Sequence, residues 1–393
     1  MFFRGKNDRY GLLVDIGSGS VGLAVCHSAD QAQPNIIWSH REHVPLREIE
    51  SVGDSSKAIV TTLMHMMMEF EGAGRTALNQ HQQGAKITTV QATVAAPWAY
   101  TTTRTVKFEQ DEPFEITKDL VADLASAAGQ QAIDEFGQQH SLESLGIAET
   151  SRCALDTYAN GYRLTEPNKQ EASILSVTHA TTLVRTEIIE AIKEMNDKLF
   201  GSTELQITSY MLANYFSTRL LMPDIYDACL VDITDEATEI GIVRNGSLKY
   251  STHVAFGRAS LAREISAATK VPLHEAFTTM VNHDQADKSE HEELLEIYTA
   301  YTNRVQELFK ETGDRLTIPK NIYLETDTGL ESFFLPMVEK AAESASKGKV
   351  KITLIKDSLQ KLPQKDQSSN DTPLLVAASF FHTSDERSHF EYL

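Results

Sequence analysis

The sequence predicts an α/β protein of two lobes facing a cleft, with a small β-α-β-β subdomain inserted into the first lobe. Three observations carry this. Two strand-turn-strand segments, each with an aspartate at the end of an apolar strand, lie about half a chain apart: Asp15 within Gly11–Cys26 and Asp232 within Ala228–Val243. Strand and helix periods alternate along most of the remaining chain, the pattern of layered α/β domains. Between 98 and 185 the alternation gives way to strand, helix and two strands, a unit too small to be the whole protein.

Taken in order, Gly11–Cys26 reads as a hairpin whose tip, Gly17-Ser18-Gly19-Ser20, is small and permissive. Asp54 or Ser55 then caps a helix with Ile59, Leu63, Met66 and Phe70 on one face, which makes the Met64–Met68 cluster core material. Ile87–Ala96 is a strand ending at Pro97. The insertion comprises a strand at Thr101–Phe108, a helix opening at Thr117 and carrying Leu120, Leu124, Ala128 and Ala132, and strands at Cys153–Leu164 and Ala172–Val184. Helix, strand and helix come next at Glu187–Phe200, Leu205–Tyr210 and Met211–Leu221. The second hairpin ends in Asn245-Gly246, a strong type I′ turn signal, and continues as a strand from Ser247 to Ala255.

Helices are predicted at Leu261–Lys270, His274–Val281 and Glu292–Phe309, then a strand at Asn321–Glu325, a turn at Asp327–Gly329, a helix at Leu330–Ala342 and a strand at Val350–Lys356. Leu362–Asp371 is polar and loop-like, and Leu374–Phe381 is a final docked helix before a polar end. The acids at Asp284–Glu293 read as a solvated face.

Composition excludes several classes. With 393 residues the chain has room for two to four structural units. Its formal charge of -19 opposes condensation on nucleic acid or anionic lipid, so no nucleic-acid partner is expected. Cys26, Cys153 and Cys229 match no metal-ligand spacing and read as reduced thiols of a cytoplasmic protein. Leu374–Phe381 is far shorter than the ~20 residues of a membrane helix, and the N-terminal segment lacks the apolar region of a signal peptide.

Two facing hairpins can offer backbone N–H groups to a polyphosphate, while an aspartate from each holds a hydrated Mg²⁺. Small residues at the tips let main chain approach phosphate closely. Asp15 and Asp232 read equally as strand-end residues satisfied by hairpin N–H groups, and Ser18, Ser20 and Thr238 as ordinary turn hydroxyls.

On Asp15-Ile16-Gly17-Ser18-Gly19-Ser20-Val21-Gly22 and Asp232-Ile233-Thr234-Asp235-Glu236-Ala237-Thr238-Glu239-Ile240, the chain resembles the actin-like (ribonuclease-H-like) ATPase superfamily, in its branch containing FtsA and PilM. Arg244-Asn245-Gly246-Ser247-Leu248 and Phe256-Gly257-Arg258-Ala259-Ser260-Leu261 are similar to the segments after the second motif of that branch, and the insertion with Asn160-Gly161-Tyr162 is like its extra subdomain, of SHS2 type. The resemblance implies ATP and Mg²⁺ as cofactors, with Asp15, Gly17, Ser18, Gly19, Ser20, Asp232, Thr234, Thr238, Gly257 and Gly329 at the nucleotide and Asp15 and Asp232 at the metal; no catalytic residue is assigned. It also implies the division 1–97 first lobe, 98–185 insertion, 186–225 first lobe continued, 226–257 second lobe with its hairpin, 258–316 helical subdomain, 317–345 second lobe continued and 346–393 return to the first lobe.

The chain departs from the pattern where phosphate should lie. Thr234, Asp235, Glu236 and Ala237 replace a glycine-rich turn, Gly22 stands where a lysine is usual, and Ile322–Gly329 has one glycine in place of a pair. A like-charge pair at about 5 Å and an effective dielectric near 20 costs about 3 kcal/mol, so Asp235 and Glu236 should repel a triphosphate. The expectation is a scaffold with weak ATPase activity at most. Its partners would be the cytoplasmic tail of a single-pass inner-membrane protein, as for PilM, or a division filament protein, as for FtsA, with self-association through the insertion. PilM is favoured because the residues after Phe381 lack a basic, sustained apolar face for membrane targeting. A sugar-kinase-type phosphotransferase needs a carboxylate base and a glycine-rich second turn, neither of which is identifiable.

Overall fold

The computed structural model describes residues 8–29, 32–45, 52–136, 142, 145–164, 170–201, 203–222, 225–282, 291–311, 317–326, 329–359, 371–383 and 390–393. In chain order the elements are β1 (Arg9–Ile16), β2 (Ser20–Ser28), β3 (Asn35–His43), α1 (Val52–Glu69), which passes through a π-helical turn at Phe70–Gly74 into α2 (Arg75–His81), and β4 (Ile87–Val94). Next come β5 (Ala99–Glu115), α3 (Lys118–Phe136), β6 (Ile147–Ala159), β7 (Tyr162–Arg163), β8 (Glu171–Arg185), α4 (Thr186–Phe200), β9 (Glu204–Ser209) and α5 (Tyr210–Leu221). The second half holds β10 (Ala228–Ile233), β11 (Thr238–Arg244), β12 (Ser247–Val254), α6 (Arg258–Thr269), α7 (Leu273–Val281), α8 (His291–Lys310) and β13 (Asn321–Thr326). It closes with α9 (Glu331–Ser346), β14 (Lys351–Leu354), α10 (Ile355–Leu359), α11 (Thr372–His382) and β15 (Phe390–Tyr392).

Two mixed sheets repeat one plan. The first runs β3-β2-β1-β4-β9 and the second β12-β11-β10-β13-β14, each with three antiparallel strands followed by two parallel ones. Register makes the duplication residue-specific. Across the first sheet Arg41, Gly22, Asp15 and Thr93 stand in one row; across the second the row is His253, Glu239, Asp232 and Glu325. Each aspartate therefore occupies the same place in its lobe.

Periodicity explains what covers the sheets. Ile59, Leu63, Met66 and Phe70 recur at helical spacing and are all buried, packing with Ile188, Ile192 and Met195 of α4 against Leu12 and Val14 of β1. Burying such a side chain contributes roughly 1.5–3 kcal/mol. In the second lobe Val231 and Ile240 pack with Ile265, Tyr301, Phe334 and Val338. Between the lobes, Met211 and Tyr215 of α5 pack with Val376 and Phe380 of α11.

The inserted segment forms a third, antiparallel sheet in the order β15-β6-β8-β5, with β7 on β6 and α3 packed across β5 and β8. Several expectations need correction. The helix begins at Val52, before Asp54 and Ser55, and Met68 is exposed while Met66 is buried. The first insertion strand extends through Glu115 rather than stopping at Phe108, because its pairing with β8 resumes beyond an irregularity at Glu109–Phe114. Strand β3 had no expected counterpart: it is a half-exposed edge strand without clean apolar alternation. The polar end supplies β15, which pairs Phe390 with Cys153 of β6. Residues 362–370, 284–290, 327–328 and 385–389, read from sequence as loop, acidic face, turn and tail, lie outside the described residues.

Candidate functional site

The two hairpin tips meet at a cleft of about 480 Å³, lined by Asp15 and Arg41 of the first row and by Asp232 and Glu325 of the second. Asp15, Gly17, Ser18 and Ser20 line it from the first lobe, and Asp232 and Thr234 from the second. Thr238, Gly257 and Gly329 do not. Thr238 is fully buried and donates its hydroxyl to the Phe256 carbonyl at 2.8 Å, beneath the second turn. Gly329 has a positive φ of 93° and its N–H donates to Glu331 Oε2 at 2.7 Å at the entry to α9.

Both turns are closed by the same bond, Gly17 N–H to the Ser20 carbonyl and Thr234 N–H to the Ala237 carbonyl, each at 2.9 Å. They then bind each other. The Ser18 hydroxyl donates to Thr234 Oγ1 at 2.8 Å and accepts from the Glu236 N–H at 2.8 Å. A Cβ built on Gly19 would lie 2.5 Å from Asp235 Cγ and Oδ2. The close approach reserved at this glycine is thus used by the opposite turn.

Trp98 fixes the first tip from below, donating its indole N–H to the Gly17 carbonyl at 3.0 Å while buried. Trp98→Phe should lower stability by about 1–2 kcal/mol, since it leaves a buried carbonyl unpaired; chemical denaturation of the two proteins checks this.

The acids of the second turn do not stand unopposed. Arg258 Nε donates to Asp235 Oδ1 at 2.7 Å and Arg263 forms an ion pair with Glu236, both arginines coming from α6. The repulsion expected from sequence is therefore largely neutralised locally. That corrects the reading of Asp235 and Glu236 as bare charges in the cleft. Gly257 permits the arrangement: Arg258 and Ala259 donate their N–H groups to the Thr234 and Asp235 carbonyls at 2.9 and 2.8 Å.

Arg41 of β3 supplies the cation of the first lobe. Its Nη2 donates to Asp15 Oδ2 at 2.8 Å and to Asp371 Oδ1 at 2.8 Å, its Nε to Asp371 Oδ2 at 2.7 Å, and its Nη1 to Ser20 Oγ at 2.8 Å. Gly22 makes the room, since a Cβ there would lie 2.7 Å from Arg41 Nη2. The place expected for a lysine is filled by a guanidinium from the neighbouring strand. Burial raises the Asp15 carboxyl above its ordinary value against the pull of Arg41. For Asp371, burial also opposes ionisation, but Arg41 and the Leu374 N–H outweigh it and hold the carboxyl below its usual range. Asp371 is at once the N-cap of α11, so one guanidinium ties β3, β1 and that helix together.

In the second lobe Glu239 occupies the position of Gly22 and His253 that of Arg41. Burial pushes Glu239 up to about 8, opposed by hydrogen bonds from the Ser251 hydroxyl and the Ala96 N–H. Glu325 accepts from the Tyr210 hydroxyl at 2.6 Å. Sequence reasoning assigned Glu325 no role and missed Arg41 and Asp371; the Asp371-Thr372-Pro373 helix-start pattern was the available signal for the last.

The residues present do not fit a Mg²⁺-nucleotide. Asp15 is engaged by an internal guanidinium, the Ser18 hydroxyl and the Gly17, Thr234 and Glu236 N–H groups are used within and between the turns, and Asp235 covers Gly19. Among the described residues no three His, Cys, Asp or Glu side chains converge to hold a metal ion. Of the expected metal pair, Asp15 has the guanidinium of Arg41 beside it at 2.8 Å, and Asp232 lines the cleft from the second lobe.

Two sheets of one strand plan that meet at their hairpin tips, with a third sheet inserted, make up an actin-like α/β fold. A solved structure of a PilM-PilN type IV pilus biogenesis complex contains a chain similar to this one, with a TM-score of 0.58, 10% identity, and 94% of this chain and 97% of that one covered. Weaker likenesses include a Bacteroides thetaiotaomicron protein with an actin-like ATPase fold (TM-score 0.45, 9% identity, 96% and 99% covered) and the ethanolamine utilization protein EutJ from Carboxydothermus hydrogenoformans (TM-score 0.43, 13% identity, 96% and 91% covered). No protein-family pattern matches the chain, and no curated protein matches it in sequence. Among the described residues no helix is long and apolar enough to cross a membrane.

Proposed function

We propose that this chain is an actin-fold scaffold that helps assemble a membrane-associated machine, in the manner of PilM, and that it does so without turning over ATP. The observation that carries the reading is the Asp15–Arg41–Asp371 cluster: the aspartate that would serve a nucleotide's metal is given over to holding the fold. The inserted subdomain is the contact module of this reading. Its β5 is an edge strand of the third sheet, and the exposed Glu109, Asp111 and Glu112 lie along it.

The test uses the full chain. Immobilised peptides from the cytoplasmic tails of single-pass inner-membrane pilus proteins should capture it, with ATP and Mg²⁺ making no difference, and ATP hydrolysis should stay at the buffer rate. Capture by a filament-forming division protein in place of the tails would move the reading to an FtsA-like scaffold. Sustained turnover of ATP would overturn it.

A further inference from the structure

We propose that Arg41 is the resident cation of the cleft, seated in the room left by Gly22, and that the lobes are held closed by the chain's own side chains rather than by a bound nucleotide. The inference deepens the scaffold reading and rests on the cleft being the counterpart of a nucleotide site. Complementary residues stand here in register. A glycine at position 22 and an arginine at position 41 are adjacent across β2 and β3, and the guanidinium passes over the glycine to Asp15. A side chain at 22 would meet Arg41 Nη2 at 2.7 Å, so the small residue and the large one are used together.

The closure itself is made by side chains from both turns. Ser18 binds both Thr234 and Glu236, Asp235 sits against Gly19, and Arg258 Nη2 lies 3.3 Å from His43 Nδ1 across the lobes. A nucleotide normally bridges two such turns through its phosphates; here the turns bridge themselves. Arg41 is also a better fit than a bound divalent ion to what surrounds it. Its planar fork takes both oxygens of Asp371, with Ser20 and Asp15 satisfied by the remaining donors.

Two measurements test this. Amide exchange is followed in the wild-type protein with and without about 5 mM ATP and Mg²⁺; the Thr234 and Glu236 amides should change by less than about twofold, because the closed state is already the populated one. Protection rising about tenfold or more with nucleotide would overturn the proposal. In the second, thermal unfolding is followed with and without Mg²⁺ alone. Wild-type protein should not respond, whereas Arg41→Gln, which leaves Asp15 and Asp371 without their cation, should regain several degrees when Mg²⁺ is added. A folded Arg41→Gln protein indifferent to Mg²⁺, or a wild-type protein stabilised by it, sinks the resident-cation assignment. If Arg41→Gln does not fold, the exchange experiment on the wild-type chain still decides the closure. Capture of partner tails is read separately, so failure of the scaffold reading is distinct from failure of this one.

Discussion

Gly257→Ala is expected to lower stability by about 3 kcal/mol or more, and to show as a shifted denaturation midpoint with an unchanged slope. The cause is backbone, not side chain. A Cβ at 257 would lie 2.6 Å from the Asp235 carbonyl oxygen and 2.7 Å from the Ala237 nitrogen, and would also press on the Thr234 carbonyl. None of these atoms can swing aside as a flexible side chain does. Relieving the clash means drawing α6 away from the second turn, which breaks the Arg258 and Ala259 N–H bonds to Thr234 and Asp235 at about 0.5–1.5 kcal/mol each. It also pulls Arg258 and Arg263 from Asp235 and Glu236, returning two carboxylates to the cleft. Gly72→Ala is the control: nothing lies within 4 Å of a Cβ there, so it should cost nothing. A Gly257→Ala protein as stable as wild type would mean that α6 does not dock on the turn through these bonds.

The second large effect is one of pH. Glu239 titrates near 8 in the folded protein because burial disfavours its charge, against an ordinary value of 4.5. Below pH 4.5 both folded and unfolded chains hold the proton and the burial penalty is absent. As pH rises from 4.5 toward 8 the unfolded chain gives up a proton that the folded one keeps, so folding becomes progressively less favourable, and the loss levels off once the folded carboxyl ionises too. A shift of this size corresponds to a few kcal/mol across the window. Glu239→Gln keeps an acceptor for the Ser251 hydroxyl and removes the titration, so its stability relative to wild type should climb from about pH 5 to about pH 8. Parallel urea titrations at several pH values measure the difference. A constant gap between the two proteins would show that Glu239 is ionised at neutral pH.

Much of the fold was readable from order and spacing. The two hairpins were legible because an apolar strand, an aspartate, a turn and a second strand sit together within a short stretch, and the helical faces because Ile59, Leu63, Met66 and Phe70 keep their period. Site residues were legible only where they belong to those hairpins. Arg41 lies on an edge strand of irregular pattern, and nothing local announces that it stands beside Gly22. The acidic second turn misled for a similar reason. Asp235 and Glu236 are neighbours in sequence, but their partners Arg258 and Arg263 arrive with a helix 23 and 27 residues later. Charge counted along a chain is not charge met in space.

The bond between Arg41 and Asp371 spans 330 residues of sequence, which sets a clock on the assembly of the cleft. A ribosome adding about 5–20 residues per second needs roughly 17–66 s to travel that distance. During that interval Asp15 and Arg41 have already been made, and the helix that receives the guanidinium has not. Until then Arg41 has Asp15 and Ser20 as partners, and its fork stays open for a segment that follows the whole second lobe in the chain. Completion of the cleft is therefore a late event in the life of the nascent chain.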